Sequence, residues 1–225
     1  MAKRFPGFST EATKFLRGLE KNNNRDWFQE RKAVYEEHVK APMIQLVENI
    51  GEEVEALMPG FVIDPRKAIY RIYRDVRFSN DKRPYKTHVA AIFHHRKLAK
   101  HSGAGFYFHF SPKELFVGGG IYMPGSSELL AIRRRTSERP DELRKIIRSA
   151  AFKRHFGELH GERLKRPPKG FSPDDPALDL LLYKQLLASE QLDPKLVETA
   201  KLQPEIMKRF RAMAPLVRFV NEPLL

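Results

Sequence analysis

Residues 69–88, IYRIYRDVRFSNDKRPYKTH, hold the densest set of anion-binding groups in the chain. Arg71, Arg74, Arg77, Lys82, Arg83 and Lys86 supply cations. Tyr70, Tyr73 and Tyr85 supply phenols, Asp75 and Asp81 carboxylates, and His88 an imidazole. Guanidinium forks, point-charge ammoniums and neutral hydroxyls are the donors that phosphate and carboxylate groups accept. The combination specifies a ligand's charge and names no reaction. For acid–base chemistry the candidates are His88 and Asp75, with Tyr73 as a positioned hydroxyl.

Alternation along a strand gives these groups a geometry. Read as a strand over 68–78, the chain puts Ala68, Tyr70, Ile72, Val76 and Phe78 on a core face. Arg71, Tyr73, Asp75 and Arg77 fall on the other face. Same-face neighbours lie about 6.5–7 Å apart, so Asp75 is expected to pair with Arg71 and Arg77. Arg74 lands on the apolar face, which calls for a bulge or a buried partner. Ser79 to Pro84 is turn chemistry. A second strand over 86–95 then places Lys86, His88, Ala90, Ile92 and His94 on one face. The candidate anion site is therefore Arg71, Tyr73, Arg74, Asp75, Arg77, Lys82, Tyr85, Lys86 and His88. The other reading is a solvated basic hairpin with no ligand.

The pattern R-x-Y-R-D-x-R-F-S-x-D-K-x-P-Y-K-x-H, running from Arg71 to His88, resembles a mainly bacterial family of conserved hypothetical proteins with no established function. Asn23, Asn24, Arg25, Asp26, Trp27 and Phe28 fit its N-N-x-R-D-W-F with one residue of slack. Gly118–Pro124 fit G-G-G-x-Y-x-P, and Pro168–Phe171 fit P-x-G-F. The resemblance covers nearly the whole chain. It implies a single-domain member and carries over no catalytic residue.

Composition narrows the partners. The 225 residues carry a net charge of +13 and no Cys. Residues 66–101 hold 11 Lys and Arg against 2 Asp and Glu, and residues 130–170 hold 13 against 5. Two basic blocks point to an anionic small molecule or, alternatively, to nonspecific RNA or DNA binding. An enzyme acting on an anionic substrate is a further alternative. With no thiol, disulfides and thiolate zinc sites are excluded. His88, His94, His95, His101 and His109 lack the spacing of a metal site, so neither metal nor cofactor is expected. No apolar run is long enough to span a membrane. The N-terminus lacks a signal-peptide core, and a cytoplasmic protein is expected.

The elements that must position these groups read as one α+β domain over 1–225. N-terminal helices are expected over 9–58, with Ser9 and Asn24 as caps, Trp27 as a core anchor and Pro42 opening the third. An antiparallel sheet of four or more strands is expected within 61–123, including 105–110 and 114–123. Phe106, Phe108 and Phe110 point one way, Tyr107 and His109 the other. Gly118–Gly120 mark either a pocket floor or a bent strand over a helix. C-terminal helices fill 126–220. Ser126 or Ser127 caps the first, which ends in Arg133–Arg135, and the last is interrupted at Pro204 and Pro215. A Pro/Gly-rich loop spans 158–175.

Overall fold

A computed structural model of the chain describes residues 4–225. Residues 1–3, where the N-terminal stretch read for a leader begins, lie outside the described residues. The first helix, α1 (Thr10–Lys21), buries Ala12, Phe15, Leu16 and Leu19 along one stripe. Ser9 precedes it, but its side chain makes no capping bond. Asn24 does cap α2 (Arg25–Glu30), its side chain accepting from Trp27 N at 2.9 Å. Helix α3 (Lys32–Val34) runs through a π-helical turn at Tyr35–Lys40 into α4 (Ala41–Leu57). Pro42 sits in the first turn of α4, where the missing N–H costs least. The fully buried anchor of this region is Phe28, not Trp27. Trp27 is only partly buried, lying over Gly18 with Arg31 above its ring.

A short helix, α5 (Pro65–Ala68), follows, and then the sheet. Strands β1 (Val89–His94), β2 (Gly105–Phe110) and β3 (Leu115–Ile121) are joined in order, each antiparallel to its neighbour. Helices α6 (Ser126–Glu138), α7 (Pro140–Arg148), α8 (Ala150–Phe156) and α9 (Leu178–Leu181) intervene before β4. Strand β4 (Leu186–Leu192) completes the order β1-β2-β3-β4, and α10 (Leu202–Asn221) closes the chain. The α+β class and the four-stranded antiparallel sheet are as expected, with one strand coming from a different place.

That fourth strand is 186–192, not 68–78. Its residues, LLASEQL, favour a helix by composition, and they fall within the span expected to be C-terminal helices, 126–220. Pairing along β3 overrides that weak preference. Once paired, Leu186, Ala188 and Leu192 point into the core. The last helix also differs from expectation. Its break falls at residues 199–201, between a 3-10 turn (Pro194–Glu198) and α10. Pro204 lies in the first turn of α10, and Pro215 lies inside it. The N-cap of α6 is Gly125, and the helix runs past Arg133–Arg135, of which Arg135 falls in its last turn. Arg133 tethers α6 by donating to Leu181 O at 2.9 Å, and Arg135 pairs with Glu142 and Glu222.

The two faces of the sheet differ. Phe93, Phe106, Phe108, Phe110 and Val117 are fully buried on one face, against helices that include α10 and α4. Phe106 stacks on Phe210 of α10 with ring centres 4.9 Å apart. Gly119 lies on this face. A Cβ there would collide with Met213 Sδ, so the glycine lets α10 approach β3. One charged group is accommodated here: Glu190 accepts from Arg209 at 2.9 and 3.0 Å and faces His155 at 3.1 Å. The opposite face carries Ile92, Tyr107, Gly118 and Ser189 in register across the four strands, and among the described residues this row lines an open cleft with no helix residue in its walls.

Candidate functional site

The Arg-rich stretch is a hook, not a strand. Among the described residues its ladder contacts are isolated bridges at Ile69–Ala91 and Tyr73–Tyr85. Three side chains take the backbone away from an extended path. Asp75 accepts from Arg77 N at 3.2 Å, Ser79 Oγ from Asp81 N at 3.2 Å, and Asp81 from Arg83 N at 3.1 Å. Such local side-chain-to-backbone bonds offer an alternative to sheet pairing. The hook closes through Arg74 N to Pro84 O and Lys86 N to Ile72 O, at 2.9 and 2.8 Å.

This geometry undoes the expected alternation. Phe78, assigned to the core, is 95 % exposed. Arg77 grips Asp75 with Nε at 3.0 Å and Nη2 at 2.8 Å, in the open. These bonds hold the Asp75 carboxyl down at about 2, and Arg71 adds only a weaker Coulombic pull. Arg71 makes no hydrogen bond to Asp75, so the expected three-residue unit does not assemble. Arg74 finds a partner without being fully buried, donating to Asp81 at 2.6 Å and to Arg83 O. Tyr85 is core: it stacks on Phe28 at 4.2 Å, while Asn23 brackets its backbone N–H and C=O at 3.0 Å each. Tyr73 leans on Phe28 and Tyr85 and is half exposed. Lys82 donates to Val76 O at 3.1 Å.

The two ends of the hook behave differently from its tip. Tyr70, Lys86 and His88 form one wall of a cleft of about 510 Å³ on the uncovered sheet face. The register explains the floor. Gly105 pairs with Gly120, Tyr107 with Gly118, and Gly118 with Ser189. Three glycines therefore leave bare backbone at the centre of the sheet. Phe116 stands beside them, and its ring reaches to where a Gly118 Cβ would project, 2.9 Å away. Leu187, Ser189 and His160 form the far wall. Residue 160 pairs with Leu187 along the outer edge of β4. Tyr122 and Met123, exposed at 63 % and 67 %, overhang the rim. Both readings of the glycine triplet hold, for different residues: Gly118 and Gly120 floor the cleft, and Gly119 seats α10.

The cleft's cation is Lys86, and Glu114 acts on His88 and Tyr107 from outside the lining. The lining itself includes no Asp or Glu. Lys86 and Lys100 stand over the Tyr70 ring at 4.9 and 4.1 Å. Among the described residues Lys86 has no carboxylate partner, and Lys100 donates only to Lys67 O at 3.1 Å. Burial lowers the pKa of both ammoniums, and Arg71 and Lys100 lower Lys86 further. Burial, with His109 and Lys86 nearby, pushes His88 down to about 4, so it is neutral at pH 7. Its ring lies 5.1 Å from that of His109, whose Nε2 is 3.2 Å from Glu114. Burial raises the Tyr70 and Tyr107 phenols, which keep their protons. Nδ1 of His94 and of His109 are buried without a hydrogen-bond partner among the described residues. No group of three or more His, Asp or Glu there is arranged to hold a metal ion.

A model of the DUF2461 family, conserved hypothetical proteins, matches residues 11–219. The chain belongs to this family. A search of curated proteins finds no match. The DUF2461 match spans the hook, the sheet and every wall of the cleft. Of the nine candidate residues in this DUF2461 chain, the structure brings Lys86 and His88 into the cleft. Arg71, Tyr73, Arg74, Asp75, Arg77, Lys82 and Tyr85 do not line it, and the acid–base trio of His88, Asp75 and Tyr73 is not assembled. Lys100, Tyr122, Met123, His160 and Ser189 were not anticipated, because none lies near the motif in sequence. Tyr107 and Gly118 carried a signal, in the Tyr/His alternation of β2 and the glycine run. No helix is long and apolar enough to cross a membrane among the described residues.

Proposed function

We propose that this single-domain DUF2461 protein binds a small organic anion, carrying a phosphate or carboxylate, in the glycine-floored cleft. Lys86 meets the anion, with Lys100 adding charge and neutral His88 and Tyr70 adding hydrogen bonds. The observation that carries this reading is a half-buried ammonium in a cleft whose lining has no acidic residue. A cation held out of water without a counter-charge is unfavourable, and an incoming anion relieves that cost. The cleft is the right size for a small molecule and mostly apolar with few convergent polar groups, as ligand sites are. The test is a thermal-shift titration with inorganic phosphate and with acetate, on wild type and Lys86→Ala. Selective binding to the native state raises Tm. A rise in wild type that Lys86→Ala abolishes supports the reading. A rise that Lys86→Ala leaves intact, or none at all, removes it.

A second reading attaches to the tip of the hook. Arg71, Arg77, Lys82 and Arg83 are exposed around the protruding Phe78. Cations interleaved with an exposed ring suit single-stranded nucleic acid, through phosphate contacts and base stacking. Oligonucleotide binding that weakens steeply with salt and with Phe78→Ala supports it. No retention at low salt removes it.

A further inference from the structure

We infer that the body of the bound anion is a flat aromatic ring, lying on the Gly118–Gly120 floor while its charged group meets Lys86. This inference rests on the anion reading and adds the chemical class of the ligand. The floor is the first reason. Gly120 needs its glycine for backbone reasons, since its φ is +111° and a Cβ would strike Leu186 O. Gly105 is equally constrained, a Cβ lying 2.5 Å from Phe93 O. At Gly118 the φ is ordinary and the closest atom is on the Phe116 side chain rather than backbone, with Ala188 O at 3.3 Å. The backbone there tolerates a side chain far better, yet the position is bare. A glycine costs roughly 0.5–1 kcal/mol in a strand, and at Gly118 it leaves an open surface of peptide planes.

The walls are the second reason. Tyr70, Tyr107 and Phe116 form a row of rings running from the cations to the floor, with successive centres 6.3 and 6.1 Å apart. Gly118 lies on β3, two strands in from β1, or about 10 Å across the sheet. A ligand with a charged end and a ring a few bonds away bridges that distance, given the reach of a lysine side chain. The rim is the third reason. Tyr122 and Met123 are large apolar side chains left exposed above the floor. A ring sandwiched beneath them gains aromatic and sulfur–aromatic contacts. An aliphatic body of similar volume gains fewer contacts, because it cannot lie flat between floor and rim.

The test compares phenyl phosphate, cyclohexyl phosphate and inorganic phosphate by calorimetric titration on the full chain. The expected result is phenyl phosphate at least 10-fold tighter than the other two. Gly118→Val should erase that advantage and leave inorganic phosphate binding unchanged. Lys86→Ala should weaken all three. Should Gly118→Val fail to fold, Tyr122→Ala at the exposed rim replaces it, with a 3-fold or greater loss confined to phenyl phosphate. Equal binding of phenyl and cyclohexyl phosphate, both sensitive to Lys86→Ala, overturns the aromatic inference and leaves the anion reading standing. Binding insensitive to Lys86→Ala overturns the anion reading, and with it the inference. Absence of binding by all three probes overturns both.

Discussion

The two faces of the sheet are made from the same four strands and do opposite work. On the helix-covered face Phe93, Phe106, Phe108 and Phe110 are wholly buried, and even the glycine at 119 serves packing. On the other face the same strands present Tyr107, His109, Gly118 and Ser189, and among the described residues Tyr107, Gly118 and Ser189 line an open cleft. A fold this rich in phenylalanine has the means to fill that face and does not. The difference separates stability, concentrated on one side, from the proposed anion recognition, placed on the other. The Arg-rich hook fits neither role fully. Its tip is exposed, its arginines are largely satisfied by Asp75 and Asp81, and only its two ends reach the cleft.

The contrast is broken most sharply by paired truncations. Phe106→Ala should cost about 3–5 kcal/mol, as large core deletions do, in urea melts. Tyr107→Ala, one residue along and on the open face, should cost less than half as much. Equal losses would mean that the open face is also core. A smaller effect is expected from the glycines. Gly119→Ala forces a methyl against Met213 and against Gly105 O at 2.7 Å, so overpacking of roughly 1–3 kcal/mol is expected. Gly118→Ala should cost about 1 kcal/mol or less, since the Phe116 ring can swing aside. The reverse order would contradict the assignment of faces.

A further stability effect is a pH dependence. His88 titrates at about 4 in the folded chain, below its ordinary value of 6.5. Between those values the unfolded chain binds more protons, so stability rises with pH there and falls as pH drops from 6.5 toward 4. His88→Gln should lose less stability than wild type over that window and behave alike above pH 7. Parallel curves across the window would show that His88 is not held neutral by the cleft.

Much of this was readable from residue order. The strict alternation of Phe106, Phe108 and Phe110 against Tyr107 and His109 fixes both faces of β2. Parity then places Lys86, His88, Ala90 and Ile92 correctly on β1 and the segment before it. What was hidden has physical causes. The leucine-rich 186–192 segment carries helix-like composition, and only its pairing with β3 makes it a strand. In the hook, Asp75, Ser79 and Asp81 capture backbone N–H groups two residues on, so counting by twos fails after Ile72. The error matters for the site: Asp75 pairs with Arg77 as expected, but not with Arg71, and Phe78 is outside rather than in the core. Tyr70, counted as core, faces the cleft because its backbone joins β1 at Ala90. His160 reaches the cleft from a segment far away in sequence, whereas Tyr122 and Met123 directly follow the glycine run, where the G-G-G-x-Y-x-P stretch was legible but their place on the rim was not.

The central claim is that an anion enters at Lys86 over the glycine floor and not at the arginines of the hook tip. A backbone amide chemical-shift titration with inorganic phosphate tests it residue by residue. The account predicts saturable shifts at Tyr70, Lys86, Gly118 and Gly120, lost in Lys86→Ala and retained in Arg77→Ala. Shifts confined to Arg77 through Arg83, abolished by Arg77→Ala and indifferent to Lys86→Ala, would contradict it.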